Sequence, residues 1–381
     1  MKKTLLFGTI LAACIALGAI SATGADTVRF WYHFDDADNP MSDLVNAFEA
    51  ANPDIKIEAE NIPWGSYYDT LYTAIAAGSG PDTAMVKMFA QPRLIEMGAL
   101  EPIDDRISNW SGKADIQDNL FNITKGPDGK SYYMPVQYVA LYLYYRADLF
   151  AAAGLNPPAT CDDFRAAAKA LTKDGTYGFG FRGGKGGHDH WASLVLSTGA
   201  NFKPGGMTSD SAIAATQFVV DLFQNDKVFP PSAPNDGFKE IIGAFKAGKT
   251  AMTIHHIGSS NGMVEALGDK VSATIVPECG GGRWTAFGDE STAIFSAAKS
   301  KDAAWKWISF LSSAENNAMF NKATGQLPVT KSDSATWSLH EKRFVDATIN
   351  SLPFANLLPN VSETSDFVNT VWPTNMQRAL I

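Results

Sequence analysis

The sequence predicts an α/β protein in which a mostly parallel sheet is covered by helices on both faces. Segments with strand periodicity alternate with amphipathic segments through short loops from residue 26 to residue 98, and the alternation recurs between residues 133 and 325. The chain has 381 residues, which is enough for two domains of ordinary size, each with its own core.

In the first part of the chain the predicted elements alternate in the order strand 26–34, helix 39–54, strand 55–62, helix 65–78, strand 82–87 and helix 91–98. Val28, Phe30 and Tyr32 share one side of the first strand, because side chains alternate along a strand. Gly78 is expected to end the second helix, since glycine readily takes the left-handed conformation that closes a helix.

The second part of the chain opens with strand-forming residues from Tyr138 to Tyr145. A helix follows at 158–175, where Thr160 is expected to be the N-cap and Asp163 to complete a capping box. Further elements are predicted as helices 213–226 and 237–248, strands 250–257, 270–277 and 291–299, and a helical pair at 300–325. Two glycine-rich stretches are the best candidates for loops or hinges, 182–187 and 279–284.

The overall charge and the N-terminus indicate an exported protein that does not bind nucleic acid. The net charge is −9 with a pI near 5.2, and an acidic surface repels phosphate backbones and anionic lipids. Two lysines precede an apolar run that ends at Ile20, and small residues follow up to Ala25. This pattern predicts a signal peptide over residues 1–25. The sequence "LAAC" within it makes lipid anchoring at Cys14 the alternative to release.

Two cysteines remain after the predicted cleavage, Cys161 and Cys279. An oxidising compartment would allow them to pair. Their distance in space does not follow from the sequence, so the pairing stays open at this point.

Short segments along the chain occur together in an order that resembles one family. They are "LVNAFEAANPDIKIEAENI", "YYDTLYTAIAAGSGPDTAM", "GALEPIDD", "YMPVQYVALYLYYRADLFAAAGL", "PPATCDDFRAAAKAL", "YGFGFRG", "FKAGKTAMTIHHIG", "AAWKWISFLSS" and "TGQLPVTKS". This succession looks like extracellular solute-binding protein family 1, the carbohydrate-type receptors of ATP-binding-cassette (ABC) importers, similar to maltose-binding proteins. The resemblance runs from Val28 to Ser332 and more weakly to Ile381.

The resemblance implies a two-lobed periplasmic binding protein fold, type II-like, with discontinuous lobes around a hinge and a central cleft. It implies an N-terminal lobe of residues 26–135 with 284–332 and a C-terminal lobe of residues 136–283 with 333–381. It also implies a monomeric periplasmic receptor, not an enzyme, that binds a sugar, oligosaccharide or polyol without a cofactor or metal. The partners would be this small-molecule carbohydrate and the ABC transporter permease subunits in the inner membrane.

Candidate ligand residues in the first lobe follow the predicted strands, because open α/β sheets bind ligands beyond the carboxyl ends of their strands. A sugar needs aromatic faces for its C–H surface and polar groups for its hydroxyls. The candidates are Tyr32, His33, Asp35, Asp36, Trp64, Lys87 and Phe89. Tyr32 also alternates with Phe30, which favours a place in the core. Lys87 is costly at a strand end unless it is paired or faces a polar cleft.

The remaining candidates come from the loops of the second lobe, from the segment that the family uses to cross the hinge and, for Asp289, from the stretch near another crossing. They are Gln137, Tyr138, Arg182, His190, His255, His256, Asn261, Asp289 and Trp372. In the family an aromatic residue commonly follows the strand after "GKTAM" and stacks on the sugar. Gly258 and Ser259 stand near that place here, which puts the stacking contact in doubt. Polar His255, His256 and Asn261 in its place favour a more polar or acidic ligand.

The alternative function is that of a secreted α/β-type hydrolase. The sequence "GSSNG", residues 258–262, fits the nucleophile-elbow pattern G-x-S-x-G with Ser260 as nucleophile, and His340 follows later in the chain. The pattern is short, and a glycine-rich oxyanion segment with a histidine does not precede it. The histidines at 188, 190, 255 and 256 suggest a metal only weakly, since adjacent residues on a strand point in opposite directions.

Overall fold

The computed structural model of the protein describes residues 25–34, 39–334 and 339–381. The candidates Asp35 and Asp36, Cys14 and the predicted signal peptide as far as residue 24 lie outside the described residues. Within the described ranges, no helix combines the length and the apolar character needed to cross a bilayer.

The strands are β1 (Asp26–Tyr32), β2 (Ile55–Asn61), β3 (Thr83–Val86), β4 (Tyr133–Ala140), β5 (Tyr142–Arg146), β6 (Met252–His255), β7 (Val271–Thr274), β8 (Thr285–Ile294), β9 (Leu327–Pro328) and β10 (Ala355–Asn356). The helices of the first half are α1 (Met41–Ala51), α2 (Trp64–Ala76), α3 (Gln91–Glu96), α4 (Asp104–Ser108), α5 (Asp118–Ile123), α6 (Ala147–Ala152), α7 (Cys161–Leu171) and α8 (His188–Val195). Those of the second half are α9 (Asp210–Gln224), α10 (Phe238–Lys246), α11 (Ser260–Leu267), α12 (Lys301–Leu311), α13 (Ala314–Thr324), α14 (Lys331–Ser334), α15 (Lys342–Ser351), α16 (Glu363–Asp366) and α17 (Trp372–Leu380).

Local signals in the sequence mark the helix ends correctly. The capping box of α7 is confirmed: the Asp163 backbone N–H donates to Thr160 Oγ1 at 3.1 Å, and the Thr160 N–H donates to Asp163 Oδ2 at 3.0 Å. Gly78 directly follows the cap residue of α2 and has φ of 68°, a conformation that glycine adopts without strain.

The larger sheet has the strand order β2-β1-β3-β8-β4-β9 and forms the first lobe. Strand β1 pairs in parallel with β2 and β3, whereas β8 runs antiparallel to both β3 and β4. The smaller sheet, β6-β5-β7, forms the second lobe and is antiparallel throughout. The prediction of a mostly parallel sheet is therefore wrong. Strand β8 returns from the second lobe, so it enters the first sheet against the direction of its neighbours.

Strands β4 and β8 pair along their length and connect the two lobes. At one end, Tyr133 and Ala293 lie in the core of the first lobe; at the other, Val139 and Ala286 lie in the core of the second lobe. A third crossing follows α15, where β10 pairs in parallel with the start of β8. The fold is thus two α/β lobes joined by a hinge, as the resemblance implies. The division of the chain at residues 135 and 284 stays a prediction.

The C-terminal helix and a disulfide complete the second lobe. Trp372, Met376 and Leu380 of α17 are buried in its core. Cys161 and Cys279 form a disulfide with Cα atoms 5.1 Å apart, which ties the start of α7 to the loop that precedes β8.

Candidate ligand-binding cleft

A cavity of about 630 Å³ lies between the two lobes. This volume is within the range of about 300–1,000 Å³ that is typical of small-molecule sites. The cavity brings together most of the candidates that the sequence predicts: His33, Trp64, Lys87, Phe89, Gln137, Arg182, His190, His255, His256, Asn261 and Asp289.

Three candidates do not line the cavity, although the sequence predicted that they would. Tyr32 is buried in the core of the first lobe, with its ring stacked at 5.9 Å on Phe30, which shares its face of β1. Tyr138 packs away from the cavity: its ring stacks at 5.8 Å on Phe287, and its hydroxyl oxygen accepts a hydrogen bond from Gln117 Nε2 at 3.1 Å. Trp372 is in the core of the second lobe.

The cavity wall also contains three charged or titratable residues outside the set of candidates given above. Glu290 and His188 are buried and Asp189 is partly buried. Glu290 and His188 stand in two stretches that the sequence reasoning singled out, 283–291 and 182–191, whereas it missed Asp189. Their roles depend on partners that are far away in the sequence, and local reasoning does not reveal those partners.

Lys87 is placed just after β3 and is held by β8. Its Nζ donates to the Asp289 carbonyl oxygen at 2.8 Å and lies 3.1 Å from Glu290 Oε2. The other carboxylate oxygen of Glu290 lies 3.1 Å from His33 Nε2. The ammonium also lies 5.4 Å from the centroid of the Trp64 ring, which is cation–π distance. These contacts fix the lysine in one position at the end of the sheet.

The Lys87–Glu290 pair stays ionised inside the protein. Burial acts to raise the pKa of Glu290, but the neighbouring His33 ring and the Lys87 ammonium outweigh it and hold that pKa below its ordinary value. Burial acts to lower the pKa of Lys87, but Glu290 and Asp289 outweigh it and raise that pKa. Both shifts favour the charged forms.

Asp289 is the exception among these acids. Its Oδ2 accepts a hydrogen bond from the Met88 backbone N–H at 2.9 Å, and its side chain is almost fully buried. Burial raises the pKa of Asp289 to about 7; Lys87 opposes that rise and Glu290 adds to it. This carboxyl group therefore changes its protonation state near neutral pH.

The second lobe presents its own acid at the N-terminus of α8. Asp189 Oδ1 lies 3.2 Å from His188 Nε2. Burial acts to raise the pKa of Asp189, but His188 and Arg182 outweigh it and hold that pKa below its ordinary value. The preceding loop packs tightly, since a Cβ on Gly183 would meet the Ala233 carbonyl oxygen at 2.3 Å. Glycine there lets the loop sit against the lobe.

Three further histidines on the second-lobe wall are neutral. Burial is the main cause that lowers the pKa of His190 and of His256 to about 3 and the pKa of His255 well below its ordinary value. The Gly258 N–H donates to His256 Nδ1 at 3.1 Å, so the proton of this neutral ring is on Nε2. His255 Nδ1 lies 2.9 Å from Ser259 Oγ.

Partly exposed aromatic rings surround these polar groups. They are Phe34, Trp64, Phe89, Phe238, Trp284 and Phe287. Rings in this position offer flat faces to the C–H surface of a ligand, while the charged and amide groups between them offer hydrogen bonds.

The residues of the hydrolase alternative do meet, but outside the cavity. Ser260 Oγ lies 2.6 Å from His340 Nδ1. Ser260 is completely buried, and the other ring nitrogen of His340 bonds to the Gly325 carbonyl oxygen at 2.8 Å. A nucleophile must be reachable by its substrate, so this geometry does not support a hydrolase. Within the described residues, no cluster of three or more His, Cys, Asp or Glu side chains is arranged to hold a metal ion.

Comparisons with known proteins agree with this architecture. The sequence profile of the bacterial extracellular solute-binding protein family matches residues 34–318. A putative binding protein of Brucella abortus is 28% identical over 375 residues, which cover 94% of this chain and 90% of that protein. A mannitol-binding protein of Pseudomonas aeruginosa is 26% identical over 257 residues, 64% of this chain and 58% of that protein. A solved ABC transporter solute-binding protein of Thermotoga lettingae, bound with alpha-D-tagatose, has a TM-score of 0.83 at 24% identity, with coverage of 93% and 94%. The profile covers most of the chain, and the protein therefore belongs to the bacterial extracellular solute-binding protein family.

Proposed function

We propose that the protein is the periplasmic receptor of an ABC importer, which binds a sugar, oligosaccharide or polyol in the cleft and delivers it to the permease in the inner membrane. The observation that carries the proposal is the composition of the cavity wall. Partly exposed aromatic rings and buried hydrogen-bonding groups come from both lobes and face one enclosed volume.

The hinge supplies the mechanism. A ligand stabilises the closed form only through contacts that it makes with both lobes together. Lys87 and Asp289 belong to the first-lobe wall, and Asn261 and His256 belong to the second-lobe wall. A polyhydroxylated ligand that bridges them holds the lobes together around strands β4 and β8, and the closed form is the one that the permease recognises.

The named ligands of related proteins support this class of ligand. One relative is a mannitol-binding protein, and one structural neighbour holds alpha-D-tagatose. Mannitol is a polyol and tagatose is a sugar of similar size. The function requires no covalent chemistry, so we propose that the protein is not an enzyme. The predicted signal peptide supports export to the periplasm, and we propose that the receptor acts as a monomer.

The test is a thermal-shift screen of the purified mature protein against mono-, di- and oligosaccharides, polyols and sugar acids. At least one of these is expected to raise the melting temperature, because a ligand that binds only the native state stabilises it. Calorimetry then gives the affinity, and small-angle X-ray scattering is expected to show a more compact molecule with the ligand. A shift with peptides or metal ions and none with any sugar, polyol or sugar acid would refute the proposal.

A further inference from the structure

The positive charge of Lys87 is neutralised within its own lobe. Its Nζ has Glu290 Oε2 at 3.1 Å and the Asp289 carbonyl oxygen at 2.8 Å, and an ammonium group has three protons to donate. Two of the three directions are therefore used by the protein. The ammonium can donate to a ligand hydroxyl, but it has no uncompensated charge to offer to a ligand anion.

Acids of the protein also accompany the positive charge on the opposite wall. Asp189, in the first turn of α8, lies 3.2 Å from His188 Nε2 and is close enough to Arg182 for that charge to stabilise its ionised form. Lys246, a further lysine of the wall, is exposed to solvent at the end of α10. The wall of the cleft thus contains the buried acids Asp289 and Glu290 and the partly buried Asp189, together with the partly buried cations Lys87 and Arg182.

His190, His256 and Asn261 of the second-lobe wall are uncharged donors and acceptors, and the further acid of this wall, Glu265, is exposed to solvent. Both ring nitrogens of His190 are used by the backbone: the Arg182 N–H donates to Nδ1 at 3.2 Å, and Nε2 bonds to the Ile254 carbonyl oxygen at 2.8 Å. His256 keeps its proton on Nε2, and Asn261 offers an amide. Such groups match hydroxyls, which both donate and accept hydrogen bonds.

From these contacts we infer that the cleft selects uncharged polyhydroxylated ligands and rejects the carboxylate and phosphate derivatives of the same carbon skeletons. The inference rests on the proposed function and adds the charge class of its ligand. An anion would enter a buried volume next to Asp189, Asp289 and Glu290, where burial of an unmatched charge is strongly unfavourable. The sequence alone favoured a more polar or acidic ligand, but it did not reveal that Glu290 already neutralises Lys87.

The test compares matched pairs of ligands by calorimetry at pH 7.5 and constant ionic strength. The pairs are D-mannitol with D-mannonate, D-mannitol with D-mannitol 1-phosphate, D-galactose with D-galacturonate, and D-glucose with D-gluconate. For each pair in which a member binds, the uncharged member is expected to bind at least about tenfold more tightly, a difference of about 1.4 kcal/mol.

A charge-removing variant tests the cause of the selection. Glu290→Gln removes the acid that neutralises Lys87 and is expected to narrow the preference for uncharged ligands by about fivefold or more. The matched control is Glu315→Gln on the exposed surface of α13, which removes the same charge and should leave the preference unchanged within about twofold. Circular dichroism verifies that both variants are folded. If Glu290→Gln is not folded, the comparison of the ligand pairs on the wild-type protein tests the inference by itself.

The outcomes separate this inference from the proposed function. Equal or tighter binding of the charged members overturns the inference and leaves a sugar receptor in place. The absence of binding by all members, together with silence of the wider carbohydrate screen, overturns both.

Discussion

Lys185 and Asp69 form an ion pair across the cleft, with Lys185 Nζ 2.6 Å from Asp69 Oδ2. Lys185 belongs to the glycine-rich loop of the second lobe, and Asp69 belongs to α2 of the first lobe. Both side chains remain partly exposed, so the pair lies at the surface rather than in the cavity. It is a direct contact between the two lobes.

We expect Lys185→Met to weaken ligand binding about 1.5- to 5-fold, because an exposed ion pair contributes about 0.2–1 kcal/mol to the form that contains it. The effect should shrink as salt is added. Titration calorimetry at low and high ionic strength measures it. Lys342→Met, which breaks an exposed pair within α15, is the control and should leave affinity unchanged. The exchange of both charges, Asp69→Lys with Lys185→Asp, should restore the ligand affinity. If the affinity of this double variant does not recover, the Lys185–Asp69 ion pair does not stabilise the ligand-bound arrangement.

Removal of the Lys87 ammonium is expected to reduce both stability and binding. Lys87→Met leaves Glu290 buried beside His33 without its cation, and the loss of one partner of a buried pair costs about 3–5 kcal/mol. Lys87 is 24% exposed, so we expect a smaller loss of about 2–4 kcal/mol in the free energy of unfolding. Urea denaturation measures this loss. Lys246→Met at the exposed end of α10 should change stability by less than about 0.5 kcal/mol, and an equal effect of the two variants would contradict the role of Lys87.

The protonation of Asp289 should make stability depend on pH near neutrality. Its pKa is raised from the model-peptide value of 3.8 to about 7, so the folded state binds more protons than the unfolded state between these values. This group therefore lowers the free energy of unfolding as the pH rises from about 4 to about 7. At each pH we compare the free energy of unfolding of Asp289→Asn with that of the wild type. We expect this difference to favour the variant more at pH 8 than at pH 4.5. Denaturation curves of both proteins at the two pH values measure the difference, and identical differences at both would count against the raised pKa.

The disulfide should stabilise the second lobe without affecting the ligand. Cys161 and Cys279 are 118 residues apart in the sequence, and a bridge that closes so long a loop typically contributes about 2–5 kcal/mol. We expect the double variant Cys161→Ser with Cys279→Ser to melt at a lower temperature. Ligand affinity should stay the same, because neither cysteine lines the cavity. Added reductant should lower the melting temperature of the wild type and not that of the double variant.

Much of the fold could be predicted because its signals are local. The Thr160–Asp163 capping box and the end of α2 at Gly78 depend on residues a few positions apart. The direction of β8 could not be predicted, since it depends on a return from the other lobe. The bounds of this strand were also predicted wrongly: the prediction was 291–299, whereas the observed strand begins at Thr285 and ends at Ile294.

Some residues of the candidate site could likewise be predicted from the sequence, and others could not. Strand ends identified Lys87 and Asp289 correctly as part of the cavity wall, because the carboxyl ends of strands meet at one edge of a sheet. Tyr32 lies in the core and not in the cavity wall, because one residue of offset on a strand decides which face a side chain occupies. Tyr138 is outside the wall because it packs on Phe287 and bonds to Gln117, a residue 21 positions earlier in the chain. The roles of the candidates in binding stay predictions, as does the signal peptide.

Strands β4 and β8 carry Gln137, Asp289 and Glu290 at the place where the chain passes from one lobe to the other. In the receptor that we propose, the residues that contact the ligand and the strands that connect the moving lobes are thus the same stretch of backbone. A substitution there that changes which solute is preferred also changes how readily the empty receptor shuts. We therefore expect a change of ligand specificity in this family to be accompanied by a change in lobe closure, and so in the interaction with the permease.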